Sequence, residues 1–429
     1  MNLLRQRCAV FGIAFFILFA LFSPRVQANA YEAELPAGLA SATDMCALLP
    51  CTEVFPGATH FSERKGQPPY VEAYDKAGAD KKLLGYVMLS TDITDTPAYS
   101  GKPVVTLIGM DTKGIFVGVK VLKHSEPILL LGIPESALLN FNAQYLGKSV
   151  ADKIEVGQSR PDEEVLGLDA ISGATVTVIA QNQVMMASGS AVARQVGILA
   201  PTVRDPARYV VTGKRWGWAE LVKQGAVQRL RVMPEQVGLD RSPDPFIELW
   251  FGDLNQPDIG KSVLGENSWN NLRLQLKEGE SAFFVVRTGG AESFKGSGFV
   301  RGGLYDRVQV RQGADAFTFR DLDAMNLYGI EAAGAPSFNE SAIFIIRSPS
   351  FSAAYPWKLS FLGNRVDRAT GARSFTSFDS PYWLPAETLE GGRPKVVEPD
   401  APWVRIWKTR AVEIALFAVL LVAVTVVYA

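Results

Sequence analysis

The stretch from Leu168 to Ala180, LDAISGATVTVIA, sets Asp169, Ser172, Gly173, Ala174, Thr175 and Thr177 close together. Hydroxyls crowded around a Gly–Ala pair at the start of a helical pattern suit the holding of a phosphate. A helix N-terminus presents unpaired N–H groups and a partial positive charge. Gly173 and Ala174 carry no bulk that would keep backbone and ligand apart. A threonine in the first turn then sets its hydroxyl beside the phosphate. On SGAT alone, the plainer alternative is a Ser or Thr cap on an ordinary amphipathic helix.

The longer pattern, D-x-x-S-G-A-T-x-T, resembles the flavinylation motif of exported FMN-binding domains. These occur in Rnf- and Nqr-type electron-transport subunits and in the NosR family. Six motif positions match, from Asp169 to Thr177. The resemblance implies that Thr177 receives FMN as a phosphoester, transferred from FAD by a flavin transferase using Mg²⁺. Thr177 is then an acceptor, and the flavin supplies the redox chemistry. That makes the chain an electron-transfer flavoprotein rather than a stand-alone catalyst. A covalent link also keeps the flavin from being lost by dilution outside the cell. Ser172, Thr175 and the helix-start amides are expected to bind phosphate oxygens, with Asp169 orienting the loop or capping it. Thr177 is expected to lie at the surface.

A second stretch, LKHSEPILLLGIPE from Leu122 to Glu135, places His124, Glu126 and Pro127 just after a strand. His124 by itself reads as an ordinary surface or core histidine, and Glu126 by itself carries no signal. Together they resemble the H-x-E-P-I-x-x-x-G-I-P signature of the NosR family, membrane proteins tied to nitrous oxide reductase expression and activity. CALLPCTEVFPGATHF near the start and AYPWKLSFL towards the end also look NosR-like. The resemblance implies an inner-membrane flavoprotein whose partner is nitrous oxide reductase. His124 and Glu126 are expected to line the flavin pocket. The family continues into membrane helices and iron–sulfur motifs that this sequence lacks, so no iron–sulfur cluster is assigned to it.

These residues need elements to hold them. From Pro69 to Lys123 the pattern is short strands and turns, including PVVTLIGMD and IFVGVKVLK joined through TKG as a hairpin. Helices follow, PESALLNFNAQYLG and a long one from about Thr175 to Val196. On the latter Val178, Ile179, Met185, Met186, Val192 and Val196 share a face, with Gln181, Gln183, Arg194 and Gln195 elsewhere. Strands followed by helices, without βαβ alternation, predict an α+β FMN-binding domain over 69–200. After a linker at 201–245, short alternating runs punctuated by Gly, Pro and Asn predict a mainly-β, sandwich-like domain over 246–365. An extended linker is expected over 366–410.

The ends of the chain give an address. Arg5 and Arg7, the apolar run Cys8–Phe22 and the small residues Ala28–Ala30 read as a signal peptide, 1–30, cleaved after Ala30. An uncleaved anchor is the alternative. The run from Ile414 onward reads as the start of a transmembrane region at 411–429, with more membrane protein expected beyond it. Residues 31–410 are therefore expected in the periplasm. Within the segment 31–68, Cys46 and Cys51 suit a small disulfide loop in that oxidising compartment, or a redox-active pair. Two cysteines with His60 and His124 do not have the spacing of a zinc site. With 43 basic and 44 acidic residues, the chain has no polybasic footprint of a nucleic-acid binder.

Three readings stay open on the sequence. One is a covalent-flavin module that supplies electrons to nitrous oxide reductase. Another is an exported redox-sensing regulatory module or an Rnf- or Nqr-type electron-transport subunit. The last is an exported binding protein in which SGAT is accidental.

Overall fold

The computed structural model describes residues 30–130, 132–157, 159, 165–201, 204–296, 303–313, 315–366 and 373–396, with a few helical positions between 407 and 419. The expected signal segment up to residue 29 and most of the expected membrane segment lie outside the described residues. Among those described, no helix is long and apolar enough to cross a membrane.

The strands read from the first half form one antiparallel meander. Strands β1 (His60–Phe61), β2 (Val71–Tyr74), β3 (Leu83–Leu89), β4 (Val105–Asp111) and β5 (Phe116–Lys123) pair in chain order. The β4–β5 hairpin sets Ile108 opposite Val119 and Gly109 opposite Gly118. Successive side chains of a strand point to opposite faces. Tyr86, Met88, Ile108 and Met110 accordingly enter one core, and Val87, Leu89, Val105 and Leu107 another. Both faces are covered, which is why β3 and β4 read as continuous apolar runs.

One face is closed by the N-terminal segment, through Leu39, Met45, Leu49 and a short helix α1 (Cys51–Val54). Cys46 and Cys51 are disulfide-bonded there. A side chain at Gly109 or Gly118 would place its Cβ 2.2 or 2.0 Å from the Val54 carbonyl oxygen. That paired glycine seat lets α1 lie directly on the sheet. The other face carries helices α2 (Glu135–Ala143) and α3 (Thr175–Gln195), through Leu138, Phe141, Val178, Met185 and Val192. A parallel strand pair, β6 (Lys153–Val156) and β7 (Val165–Leu168), lies between the two helices in sequence.

Within 201–245, read as a linker, lie helix α4 (Trp218–Lys223) and strand β8 (Gln228–Val232). The chain continues with β9 (Ile247–Asp253), β10 (Ser281–Gly289), β11 (Leu304–Gln312) and β12 (Asp315–Arg320). It ends in β13 (Ala324–Met325), β14 (Glu340–Ile346), β15 (Trp357–Val366) and β16 (Arg373–Tyr382), the last inside the stretch read as extended. Two antiparallel sheets result, ordered β13-β14-β10-β9-β8 and β12-β11-β15-β16. Their buried side chains form one aromatic core. Phe251 meets Trp357 with ring centroids 5.7 Å apart, and Tyr305 meets Phe344 at 4.9 Å.

Helices α5 (Pro257–Leu264) and α6 (Glu266–Gln275) interrupt this region, where only strands were expected. Their start is locally encoded. The Gln256 side-chain oxygen accepts the Ile259 N–H at 2.7 Å, and Pro257 opens the first turn. The chain as a whole is mixed α/β. Helix α3 reaches the second region at its far end, where Arg194 Nη2 meets Asp315 Oδ1 at 2.8 Å, and at its middle, where the Thr318 hydroxyl donates to Gln183.

Candidate functional site

Thr177 is the third residue of α3, and it is fully buried. This corrects the expectation of a surface position. Its hydroxyl donates to Glu126 Oε2, a carboxylate 51 residues earlier that is itself fully buried. The same carboxylate accepts the Tyr99 N–H at 3.1 Å on Oε2 and the Ser100 N–H at 2.8 Å on Oε1. Two features aim these groups. Pro127 starts a single 3₁₀ turn, Pro127–Leu129, that bends the chain sharply after β5 and leaves Glu126 at the bend. Tyr99 and Ser100 stand before Gly101, whose φ of +77° turns the β3–β4 connection back toward the sheet.

His124 lies beside this contact, also with no exposed surface. Its Nδ1 accepts the Glu126 N–H at 3.2 Å, so the ring proton is assigned to Nε2, which faces Glu135 Oε1 at 3.3 Å. Glu135 Oε1 also accepts the Ala30 N–H at 2.8 Å, and the Ala30 carbonyl accepts the His124 N–H at 2.9 Å. Tyr31 packs its ring edge-on against His124. The residues around the expected cleavage position therefore lie against this histidine.

The rest of the motif is placed differently. Asp169 and Ser172 are exposed, and Thr175 is half-buried. Asp169 is tied by its backbone, which exchanges two hydrogen bonds with the Gln144 side chain. The helix is capped by Ala174 with no side-chain hydrogen bond, so neither Ser172 nor Asp169 acts as the cap. Gly173 has φ +84°, and a Cβ there would stand 3.2 Å from Ile133 Cδ1. Glycine thus admits both the left-handed turn and the close approach of the Pro127–Pro134 loop.

Gln181, one turn beyond Thr177, was expected off the core face but is fully buried. It donates to Thr106 Oγ1 at 3.1 Å and Asn142 Oδ1 at 2.8 Å, which binds α3 to β4 and α2. Asn182 accepts the Tyr145 hydroxyl at 2.7 Å, and burial holds the Tyr145 pKa well above the usual tyrosine range. Tyr99, Ser100, Asn142, Thr106 and Glu135 carried no signal in the sequence, because each matters only through a distant partner. A cavity of about 1550 Å³ lies elsewhere, lined by Asn182, Gln183, Met186 and Arg194 of α3 and by Arg311 and Thr318 of the second region. Thr177, Glu126 and His124 do not line it.

What the buried cluster can do follows from its donors. Two loop amides and a hydroxyl converge on one anion, and the first amides of α3 have no partner within the helix. Asn142 Nδ2, close by in the same network, is buried without a partner among the described residues. This donor set fits a phosphate group once Glu126 is displaced.

Residues 99–187 match the family described as an FMN-binding domain. The match opens at Tyr99, whose amide holds Glu126, and closes within α3. The fold and the site thus define an FMN-binding domain within a larger mixed α/β chain. Beyond that domain the similarity extends over most of the chain. The chain is 37% identical over 399 residues to Regulatory protein NosR of Pseudomonas aeruginosa, covering 86% of this chain and 54% of that protein. It is 38% identical over 375 residues to Regulatory protein NosR of Stutzerimonas stutzeri, covering 81% and 51%. Protein NirI of Paracoccus denitrificans is 25% identical over 274 residues, covering 62% and 38%. The chain is therefore NosR-like, and it spans about half the length of the NosR relatives it matches. No solved structure matches it.

Proposed function

We propose that this chain is the flavin-carrying portion of a NosR-like protein, with FMN held covalently through a phosphoester at Thr177. The observation that carries this reading is the buried contact of the Thr177 hydroxyl with Glu126, inside the stretch similar to FMN-binding domains. Asp169, Ser172, Gly173, Ala174, Thr175, His124 and Glu126 form the surroundings of the attachment point. A flavin transferase, drawing on FAD and Mg²⁺, supplies the group. Once bound, FMN supplies one- and two-electron redox chemistry, and the chain's residues anchor and orient it. Residues 31–410 lie in the periplasm and the segment from 411 enters the inner membrane. The protein supports expression, maturation and electron supply of nitrous oxide reductase in denitrification. The word "regulatory" in the relatives' names supports a second reading, a redox-sensing module governing expression.

Intact mass of the chain produced with a flavin transferase tests the attachment. The expected gain is FMN less water, about 440 Da. Thr177→Val removes the oxygen and should abolish the gain, whereas Thr177→Ser keeps the oxygen and should retain at least part of it. A Val variant that still fluoresces on a denaturing gel overturns the acceptor assignment. Cells carrying Thr177→Val separate the two roles. Reductase that accumulates without turning over supports electron supply, and reductase that fails to accumulate supports regulation.

A further inference from the structure

Glu126 is a buried carboxylate whose donors are neutral: the amides of Tyr99 and Ser100 and the hydroxyl of Thr177. Adjacent loop amides converging on one anion are the arrangement by which backbones hold phosphate oxygens. We infer that Glu126 occupies a phosphate subsite in the unmodified chain, and that the segment Ser125–Leu130 has two positions, in when the Thr177 hydroxyl is free and out when it is esterified. The second half of this inference rests on the flavin reading above.

The argument is one of space and charge. A phosphate diester keeps one ionised oxygen, and an ester on Thr177 would have Thr177 Oγ1 as its bridging atom. Its remaining oxygens would fall where the Glu126 carboxylate now lies. Esterification also removes the proton that Glu126 accepts from Thr177. Two anions would then compete for the same two amides, and the one fixed by a covalent bond keeps them. Thr177 has no exposed surface, so the hydroxyl is reached only when its cover moves. Glu126 is the part of that cover bonded to the hydroxyl. It stands at the start of a single 3₁₀ turn held by Leu129 N–H to Glu126 O at 3.2 Å and Leu130 N–H to Pro127 O at 3.0 Å. Leu130 is half exposed, whereas Leu129 is buried in the core beneath α3, so the outward position costs the packing of that one side chain.

Inorganic phosphate is the probe for the subsite. Chain produced without transferase is compared with its Glu126→Ala variant by equilibrium unfolding. Phosphate at ten times its Kd should shift the unfolding constant of Glu126→Ala about tenfold, and that of the unsubstituted chain less than about twofold. No shift in either chain, or equal shifts in both, overturns the subsite. Hydrogen exchange on the unsubstituted chain tests the movement and decides the matter if Glu126→Ala does not fold. Amides of Leu129 and Leu130 should exchange at least about tenfold faster in flavinylated than in unmodified chain. Equal protection in both forms overturns the two positions. If intact mass finds no flavin on the unsubstituted chain, the flavin reading fails, and the phosphate comparison still decides the subsite.

Discussion

Glu126 and Asp253 are two carboxylates buried to the same degree, and they serve different ends. Asp253 spends its oxygens locally, on the amides of Asn255 at 2.8 Å and Gln256 at 3.0 Å and on the Asn255 side chain at 2.6 Å. It fastens the turn that leads from β9 into α5. Glu126 spends its oxygens on residues 26, 27 and 51 positions away. A carboxylate satisfied by its own turn closes a piece of backbone, whereas one satisfied from two distant segments holds a site together. Burial alone does not distinguish the two, but the sequence distance of the partners does.

Several substitutions would break or sharpen that contrast. Removing the local carboxylate should cost the most. Asp253→Ala orphans three buried donors and should lower stability by about 3 kcal/mol, read by denaturant unfolding. It should leave covalent flavin unchanged by mass, and a loss of flavin would make Asp253 part of the site. Gln181→Leu orphans the Asn142 side-chain oxygen and removes a donor to Thr106 near Thr177, for a loss of about 2 kcal/mol by the same measurement. Unlike Asp253→Ala, it should also reduce the fraction of chain flavinylated.

The pH dependence tests the same contrast more gently. Burial raises the Asp253 pKa from its usual value near 4 to about 6. Between those values the folded chain retains a proton that the unfolded chain has released, so stability falls as pH rises through that window. The calorimetric midpoint should drop over that range, and Asp253→Asn should flatten the slope.

Smaller effects are expected where side chains meet water. Arg194→Ala, at a partly exposed pair with Asp315, should cost about 1 kcal/mol or less, with flavin content unchanged. Ser172→Ala and Asp169→Ala should shift stability by less than about 0.5 kcal/mol. Both should nonetheless lower the yield of flavin attachment, read by mass, without moving its position.

Much of the frame was legible in the sequence. Alternation and turn residues marked the β4–β5 hairpin, and helical spacing marked α3 within a residue of its ends and α2 with its last turn carried four residues too far. The six motif positions and the HSEP stretch named Thr177, His124 and Glu126, and the structure brings these three together. Their connection was not legible. Nothing in YSGKP says that the amides of Tyr99 and Ser100 receive a carboxylate, because an N–H has no identity in a one-letter code. Gln181 read as a solvated residue because a polar side chain on an amphipathic pattern is assigned to water. It is buried because Thr106 and Asn142 supply the partners. Helices α5 and α6 were missed for a related reason. Their start lies in the Gln256–Pro257 cap, which is easily overlooked among the strand-like runs on either side.

The 21 residues of α3 form a shaft about 30 Å long, with Thr177 at one end and Arg194 at the other. A hydrogen-bonded cylinder cannot turn at one end only. A rotation of about 20° that eased Thr177 away from Glu126 would sweep the far end through about 1 Å. There Arg194 engages Asp315, and midway along the shaft Gln183 engages Thr318. Any turn of the helix that carries Thr177 is therefore resisted by its contacts with the second region.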